Sequence, residues 1–228
     1  MKRGKKYIKS TKGLDRDMTY SVADGVKKAK SLSYSNFTGT LELHVDIKLP
    51  KDRDAKSIKG AVSLPNSNTT KTVRIAVFAT PDKDEAAKAA GADLVGMEQL
   101  MKDVKAGKIE FDVAIATPAV MPKIAVLGKE LGPKGLMPNP KNGTVTDDVA
   151  GAVSEYKKGK QTFACDDSGV IHMNVGKLDL EDAKLIENIN VAVSAIEDVM
   201  GKPIEQILQK MHFAPTMGAS VKISYSKA

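Results

Sequence analysis

Residues 40–49, TLELHVDIKL, alternate apolar and polar side chains without a break. In a strand, Leu41, Leu43, Val45, Ile47 and Leu49 then share one face and Thr40, Glu42, His44, Asp46 and Lys48 the other. One face must be buried and the other wet. Farther along, the rhythm changes. VRIAVFA (73–79) and DVAIAT (112–117) are near-continuous apolar runs, and a helix-like segment follows each. Strands buried on both faces belong to a parallel sheet built from βαβ units. A chain that uses both patterns must carry two kinds of sheet.

The order of the segments says how the two are arranged. Residues 19–32 place Val22, Val26, Ala29 and Leu32 on one helical stripe, with Thr19 as N-cap. Residues 58–64 read as a second strand, and the turn formers of 65–71 break the pattern. The middle then alternates. After strand 73–79 come the helix DKDEAAKAAG, a short strand at 92–95, the helix MEQLMKDVKAG and strand 112–117. An apolar helical stretch follows through Leu131, then a Pro/Gly-rich loop and a last helix from about Asp147. After Gly159 the first style returns. QTFAC and VIHMNV flank DDSG (166–169) as an antiparallel hairpin. A helix over 180–199 turns Leu180, Ala183, Ile186, Ile189, Val193, Ile196 and Val199 inward, capped by Asp179 and stopped by Gly201 and Pro203. A short helix around 203–210 precedes the closing strand ASVKISYS. The expected fold is a discontinuous α+β domain with an antiparallel sheet, residues 1–67 plus 159–228. An inserted Rossmann-like α/β domain with a parallel sheet, residues 68–158, interrupts it.

Composition narrows the function. Of the 228 residues 42% are hydrophobic, ample for a core, yet no uncharged apolar stretch approaches a membrane span. The basic start MKRGKKYIKSTKG has no apolar run after it, so it is not a secretory signal. One cysteine makes no internal disulfide, and three scattered histidines make no zinc site unaided, so a reducing cytoplasm and no metal or cofactor are expected. The net charge is +7, and residues 1–12 hold six cations and no anion, whereas 69–158 hold 13 cations against 12 anions. The excess is an amino-terminal arm, either a solvated tail or a phosphate-contacting one. With 4% aromatics and no tryptophan, platforms that stack single-stranded bases are disfavoured.

Catalytic readings find little support. The turn after strand 73–79, ATPDKDEAA, has no glycine for a pyrophosphate and carries three acids. GxxxxGK[ST] is absent, and GKELGPKG (128–135) has the residue types of a phosphate loop in the wrong order. Pairing of 165 with 170 would bring Cys165 and His172 to roughly 7 Å on one face, but no oxyanion site or orienting third residue accompanies them. A structural cysteine and an ordinary histidine are expected, with His44 and His212 at the surface or an edge. Two loops carry more. GPKGLMPNPKNGTVT (132–146) surrounds Lys134 and Lys141 with three glycines and three prolines. It reads either as a rigid loop or as a preorganised phosphate or partner contact. In PTMGAS (215–220), bare backbone at Gly218 would admit a ribose or phosphate, and Met217 could pack on a sugar or base.

Five segments together resemble a known family: FTGTLELHV (37–45), GAVSLP (60–65), VRIAVFA (73–79), GPKGLMPNPKNGTVT (132–146) and PTMGASVKI (215–223). In these, and over nearly its whole length, the chain is similar to the large-subunit ribosomal protein family called L-one. The resemblance implies a non-enzymatic constituent of the large ribosomal subunit. It implies binding to large-subunit ribosomal RNA at the mobile stalk beside the tRNA exit site, through Phe37, Thr40 and Glu42 on one strip and Thr216, Met217 and Gly218 on the other. Glu42 would repel phosphate, so it is suited to a ribose 2′-hydroxyl. Secondary RNA or tRNA contacts are expected at Lys5, Lys6 and Lys9 of the arm and at Lys134, Lys141, Ser168 and Lys210. The implied partners are the ribosomal RNA, exit-site tRNA and a leader of the chain's own messenger RNA, whose binding represses translation. When free, the chain is expected to be a cytoplasmic monomer. Where the family carries Arg and Lys near the hairpin turn, this chain has Ala164 and Asp167. Lys210 replaces a serine.

Overall fold

The computed structural model describes residues 4–49, 54–66 and 73–225. From the amino end the elements are α1 (Lys5–Ser10), β1 (Thr19–Tyr20), α2 (Val22–Leu32), β2 (Thr40–Ile47) and β3 (Lys59–Ser63). The middle supplies β4 (Ile75–Phe78), α3 (Pro81–Ala89), β5 (Leu94–Val95), α4 (Glu98–Lys105) and β6 (Val113–Ala116), then α5 (Met121–Ile124), α6 (Gly128–Leu131) and α7 (Val149–Lys157). The returning chain forms β7 (Lys160–Ala164), β8 (Val170–Lys177), α8 (Asp182–Met200), α9 (Ile204–Ile207), β9 (Leu208–Pro215) and β10 (Val221–Ile223). The chain divides into two compact units, one of residues 1–68 with 161–228 and one of residues 69–160. Lys2 and Arg3 of the arm, and the turn-forming segment from residue 67 onward, lie outside the described residues.

In the first unit five strands form one sheet in the order β1–β10–β9–β2–β8. All neighbours are antiparallel except β1 and β10, so the sheet is mixed at one edge where an antiparallel one is expected. The cause is Thr19, which is not a cap: it pairs with Lys222, and Ser21 caps α2 by accepting the Asp24 N–H at 3.2 Å. β2 buries Leu41, Leu43, Val45 and Ile47 as the alternation requires, but it ends there, and Leu49 is exposed. α2 and α8 lie on the inner face with Val26, Ala29, Leu32, Leu185, Ile189, Val193 and Ile196 in one core. Lys30 joins the two helices through the Asp182 carboxylate at 2.6 Å. The helix α8 keeps the expected phase at Ile186, Ile189, Val193, Ile196 and Val199 but not at its start. Ala183 is exposed, and Glu181 rather than Asp179 precedes the first turn. Gly201, at φ 67°, ends it in the left-handed region.

The DDSG turn forms, but its flanking strands do not continue as a hairpin. A single bridge joins Cys165 to Ile171; then β7 leaves to pair with β3, and β8 pairs with β2. Asp166 organises the turn by accepting the N–H groups of Val170 (2.8 Å) and Ser168 (2.9 Å).

The second unit has a three-stranded parallel sheet, β5–β4–β6. Ala76, Phe78, Ala114 and Ala116 face α4, α5 and α6; Ile75, Val77 and Ile115 face α3 and α7. The stretch 118–131 is not one helix but a chain of single turns. Pro118 and Pro122 each sit in a first turn, where their missing N–H costs nothing, so each begins a new piece rather than continuing the last.

Candidate nucleic-acid interface

The wet face of β2 and the turn after β9 meet at one end of the five-stranded sheet. Leu41 pairs with Pro215 and Glu42 with Ala214, which carries residues 216–218 to the start of β2. Thr216 closes the corner. Its N–H donates to the Thr40 carbonyl at 3.0 Å, and its hydroxyl accepts the Thr40 N–H at 3.0 Å. That hydroxyl also lies 3.2 Å from the Thr40 carbonyl and 3.3 Å from Glu42 Oε1, either of which can accept its proton. Tyr34 donates its N–H to the Met217 carbonyl at 3.1 Å, fixing the turn from the other side. Two large apolar side chains stand out from this corner, Phe37 at 60% exposure and Met217 at 41%. Thr40, Glu42, Thr216 and Met217 thus form one hydrogen-bonded edge of hydroxyls, a carboxylate and an exposed thioether, with Phe37 exposed in the loop that leads into β2.

Gly218 also has a task within the fold. A Cβ there would stand 2.9 Å from the Leu32 carbonyl oxygen and against Pro215. The missing side chain lets the turn press on the end of α2, so its bare backbone is used within the fold.

The described part of the arm, from residue 4 on, is also not a free tail. Lys5–Ser10 form a helical turn, and Tyr7 packs edge-on against Tyr34, ring centroids 6.4 Å apart. Arg16 donates to the Tyr7 hydroxyl at 3.2 Å. Lys5, Lys6 and Lys9 stay exposed on a segment anchored at the residue that holds the Met217 turn. Ser168 is exposed in the DDSG turn, and Lys210 is exposed on β9 opposite Asp46. Lys134 and Lys141 belong to the second unit, in a loop braced from within. There Thr144 Oγ1 bonds both the N–H and the carbonyl of Asn139 (2.7 and 3.0 Å), and the Tyr156 hydroxyl donates to the Asn142 carbonyl at 2.7 Å.

One feature of this face is invisible to a local reading. His44 pairs with His172 on one side and His212 on the other, so all three histidines form a single row across β8, β2 and β9. The Nδ1 atoms of His44 and His172 are 2.8 Å apart, and one must donate to the other. His44 Nε2 lies 3.7 Å from Glu42 Oε2, and His172 Nε2 lies 3.5 Å from Asp166 Oδ2. Burial, then the neighbouring His172, lowers the pKa of His44, with Glu42 opposing. Burial, then Lys222 and Lys210, lowers that of His212. The spacing of residues 44, 172 and 212 gives no hint of this; only the register of three strands does. Cys165 is buried, and burial followed by the carboxylates of Asp166 and Asp46 pushes its thiol up to about 11. It is a poor nucleophile, and the partner of His172 is His44. Among the described residues no cluster of His, Cys, Asp and Glu could hold a metal ion, and no helix is long and apolar enough to cross a membrane.

Residues 26–219 match the sequence profile of the ribosomal protein L1p/L10e family. The chain belongs to that family. It is 42% identical over 226 residues to the large ribosomal subunit protein uL1 of Leptospira biflexa, covering 98% of this chain and 96% of the relative. To the large ribosomal subunit protein uL1 of Rickettsia rickettsii it is 41% identical over 223 residues, covering 96% and 92%. As a family member the chain is a ribosomal, RNA-binding structural protein and not an enzyme, and its place is the cytoplasmic ribosome.

Proposed function

We propose that the chain is a constituent of the large ribosomal subunit that grips large-subunit ribosomal RNA by the edge formed from Phe37, Thr40, Glu42, Thr216, Met217 and Gly218. The observation that carries this is the Thr216 hydroxyl, which joins the Thr40 backbone and the Glu42 carboxylate into one preformed surface. Preformed hydroxyl and carboxylate groups suit ribose hydroxyls, and the exposed Phe37 and Met217 suit sugar and base faces. The exposed cations Lys5, Lys6 and Lys9 add a sequence-independent phosphate term, with Ser168 and Lys210 as minor contacts. Of the family's two basic hairpin residues this chain keeps neither, which shifts weight to the edge and the arm. In this reading the first unit binds the RNA of the mobile stalk beside the tRNA exit site, and the second unit touches RNA or tRNA through Lys134 and Lys141. The chain then assists release of deacylated tRNA and represses its own translation by binding a messenger-RNA leader that mimics the ribosomal site. It is a monomer when free.

The test is a titration on a large-subunit ribosomal RNA fragment and on random duplex, at several salt concentrations. Met217→Asp is expected to remove the preference for the ribosomal fragment. Deleting residues 1–12 should weaken both alike and lower the log–log salt slope by about 0.7–0.9 for each phosphate that the arm neutralises. The opposite division, with the preference abolished by deleting the arm and kept in Met217→Asp, would refute the assignment.

A further inference from the structure

Beside the edge just described lies a polar cleft of about 280 Å³, walled by Glu42 and His44 of β2, His172 and Asn174 of β8, and Gln161 and Thr162 of β7, all within the first unit. We propose that this cleft takes one unstacked nucleotide of the bound RNA, its base face on the His172 ring and its base edge on Asn174, Gln161 and Thr162.

The lining decides the occupant. Among the described residues no lysine or arginine borders the cleft, and the Glu42 carboxylate does, so a phosphate is unwelcome there. A metal is no better served, since the two imidazoles already bond each other through their Nδ1 atoms. What the cleft offers instead is two side-chain amides and a hydroxyl, each both donor and acceptor, which is the mixture a base edge presents in return. His172 keeps 53% of its side chain exposed, and its hydrogen bond to His44 holds the ring in place, so it provides a small fixed stacking surface. The volume falls just below the roughly 300–1,000 Å³ typical of small-molecule pockets, which leaves room for a single base. Glu42 belongs both to the edge and to this wall, so an RNA strand lying on the edge reaches the cleft without a gap. The divergence of β7 from β8 after the DDSG turn is what opens it: a continued hairpin would have placed β7 beside β8 and left no cleft.

This inference rests on the RNA interface proposed above, and the experiment separates the two. The full-length chain, Asn174→Leu and Thr162→Leu are titrated on bacterial large-subunit ribosomal RNA, and the complexes are probed with reagents that modify base edges. Both substituted positions are exposed, and circular dichroism checks the fold. Each variant is expected to bind about tenfold more weakly, with an unchanged salt slope because no charge is removed. One base protected by the wild-type chain should become reactive again, while the ribose–phosphate footprint persists. Wild-type affinity and an unchanged base footprint in both folded variants would overturn this inference and leave the interface standing. A reduced salt slope with diminished phosphate protection would overturn it in favour of a phosphate. A wild-type chain with no preference for ribosomal RNA would overturn the interface and this inference together.

Discussion

Asn188 is fully buried in the middle of α8 and is one of only three buried polar or charged residues among those described. Its amide donates to the carbonyls of Val175 (2.7 Å) and Asn66 (3.2 Å), and its oxygen accepts the Asn66 N–H at 3.1 Å. One side chain therefore ties the end of β8 and the turn after β3 to the helix between them. Asn188→Leu keeps the branched shape but strands the buried Val175 carbonyl, at about 1–3 kcal/mol, and removes both bonds to the half-buried Asn66 backbone. The first unit is expected to lose at least about 2 kcal/mol, and urea denaturation of the full chain followed by circular dichroism reads it. An unchanged midpoint would mean that water replaces the amide. Periodicity passes over this residue because a polar side chain inside an apolar stripe looks like a phase error, and its partners sit at residues 66 and 175. The same blindness misses that a side chain at Gly218 would collide with the Leu32 carbonyl. At this scale the sequence names residue types well and their partners poorly.

Among the elements, β2 is legible because its alternation is a local property, and burial follows it residue by residue up to Ile47. The four apolar residues of β4 are likewise all buried. The partners of β7 and β8 are not legible, since β3 and β2 compete for them from roughly a hundred residues away. Nor is α1, a six-residue turn dense in lysine, which docks through contacts of Tyr7 with Tyr34, Arg16 and the core. The histidine row is a product of that strand pairing and has a thermodynamic signature. His44 and His212 hold their protons less tightly in the fold than at the ordinary value of 6.5. The unfolded chain then binds more protons than the native one as pH falls below about 6.5, so acid draws stability away from the sheet. Glu42 and Asp46 oppose this shift, and Lys210, Lys222 and the neighbouring imidazoles favour it. The melting temperature is expected to drop between about pH 7.5 and 5.5, above the carboxylate range. His44→Gln combined with His212→Gln should flatten that drop. An equal drop in the double variant would place the acid sensitivity elsewhere.

For the whole molecule, each hydrophobic cluster is drawn from one unit alone: one from residues 26–64 and 163–223, the other two from residues 75–156 and 76–131. Replacing 69–160 with a short Gly/Ser linker is therefore expected to leave a folded α+β unit, since shortening a loop lowers its closure entropy. On the ribosomal RNA fragment that shortened chain should keep most of the full chain's affinity, and the isolated 69–160 segment should keep little. Strong binding by the isolated segment would reverse the roles of the two units. The sheet order also governs how the chain is made. β2 lies between β8 and β9, and β1 finds its partner only in β10, near the carboxyl end. During synthesis the first strands leave the exit tunnel with no neighbour to pair with. They must wait while more than a hundred further residues are added, roughly five to thirty seconds at ordinary elongation rates. The parallel sheet of the middle segment is complete much sooner. Vectorial folding is therefore expected to run from the centre outward, with the nascent amino-terminal strands left as an open edge through that interval.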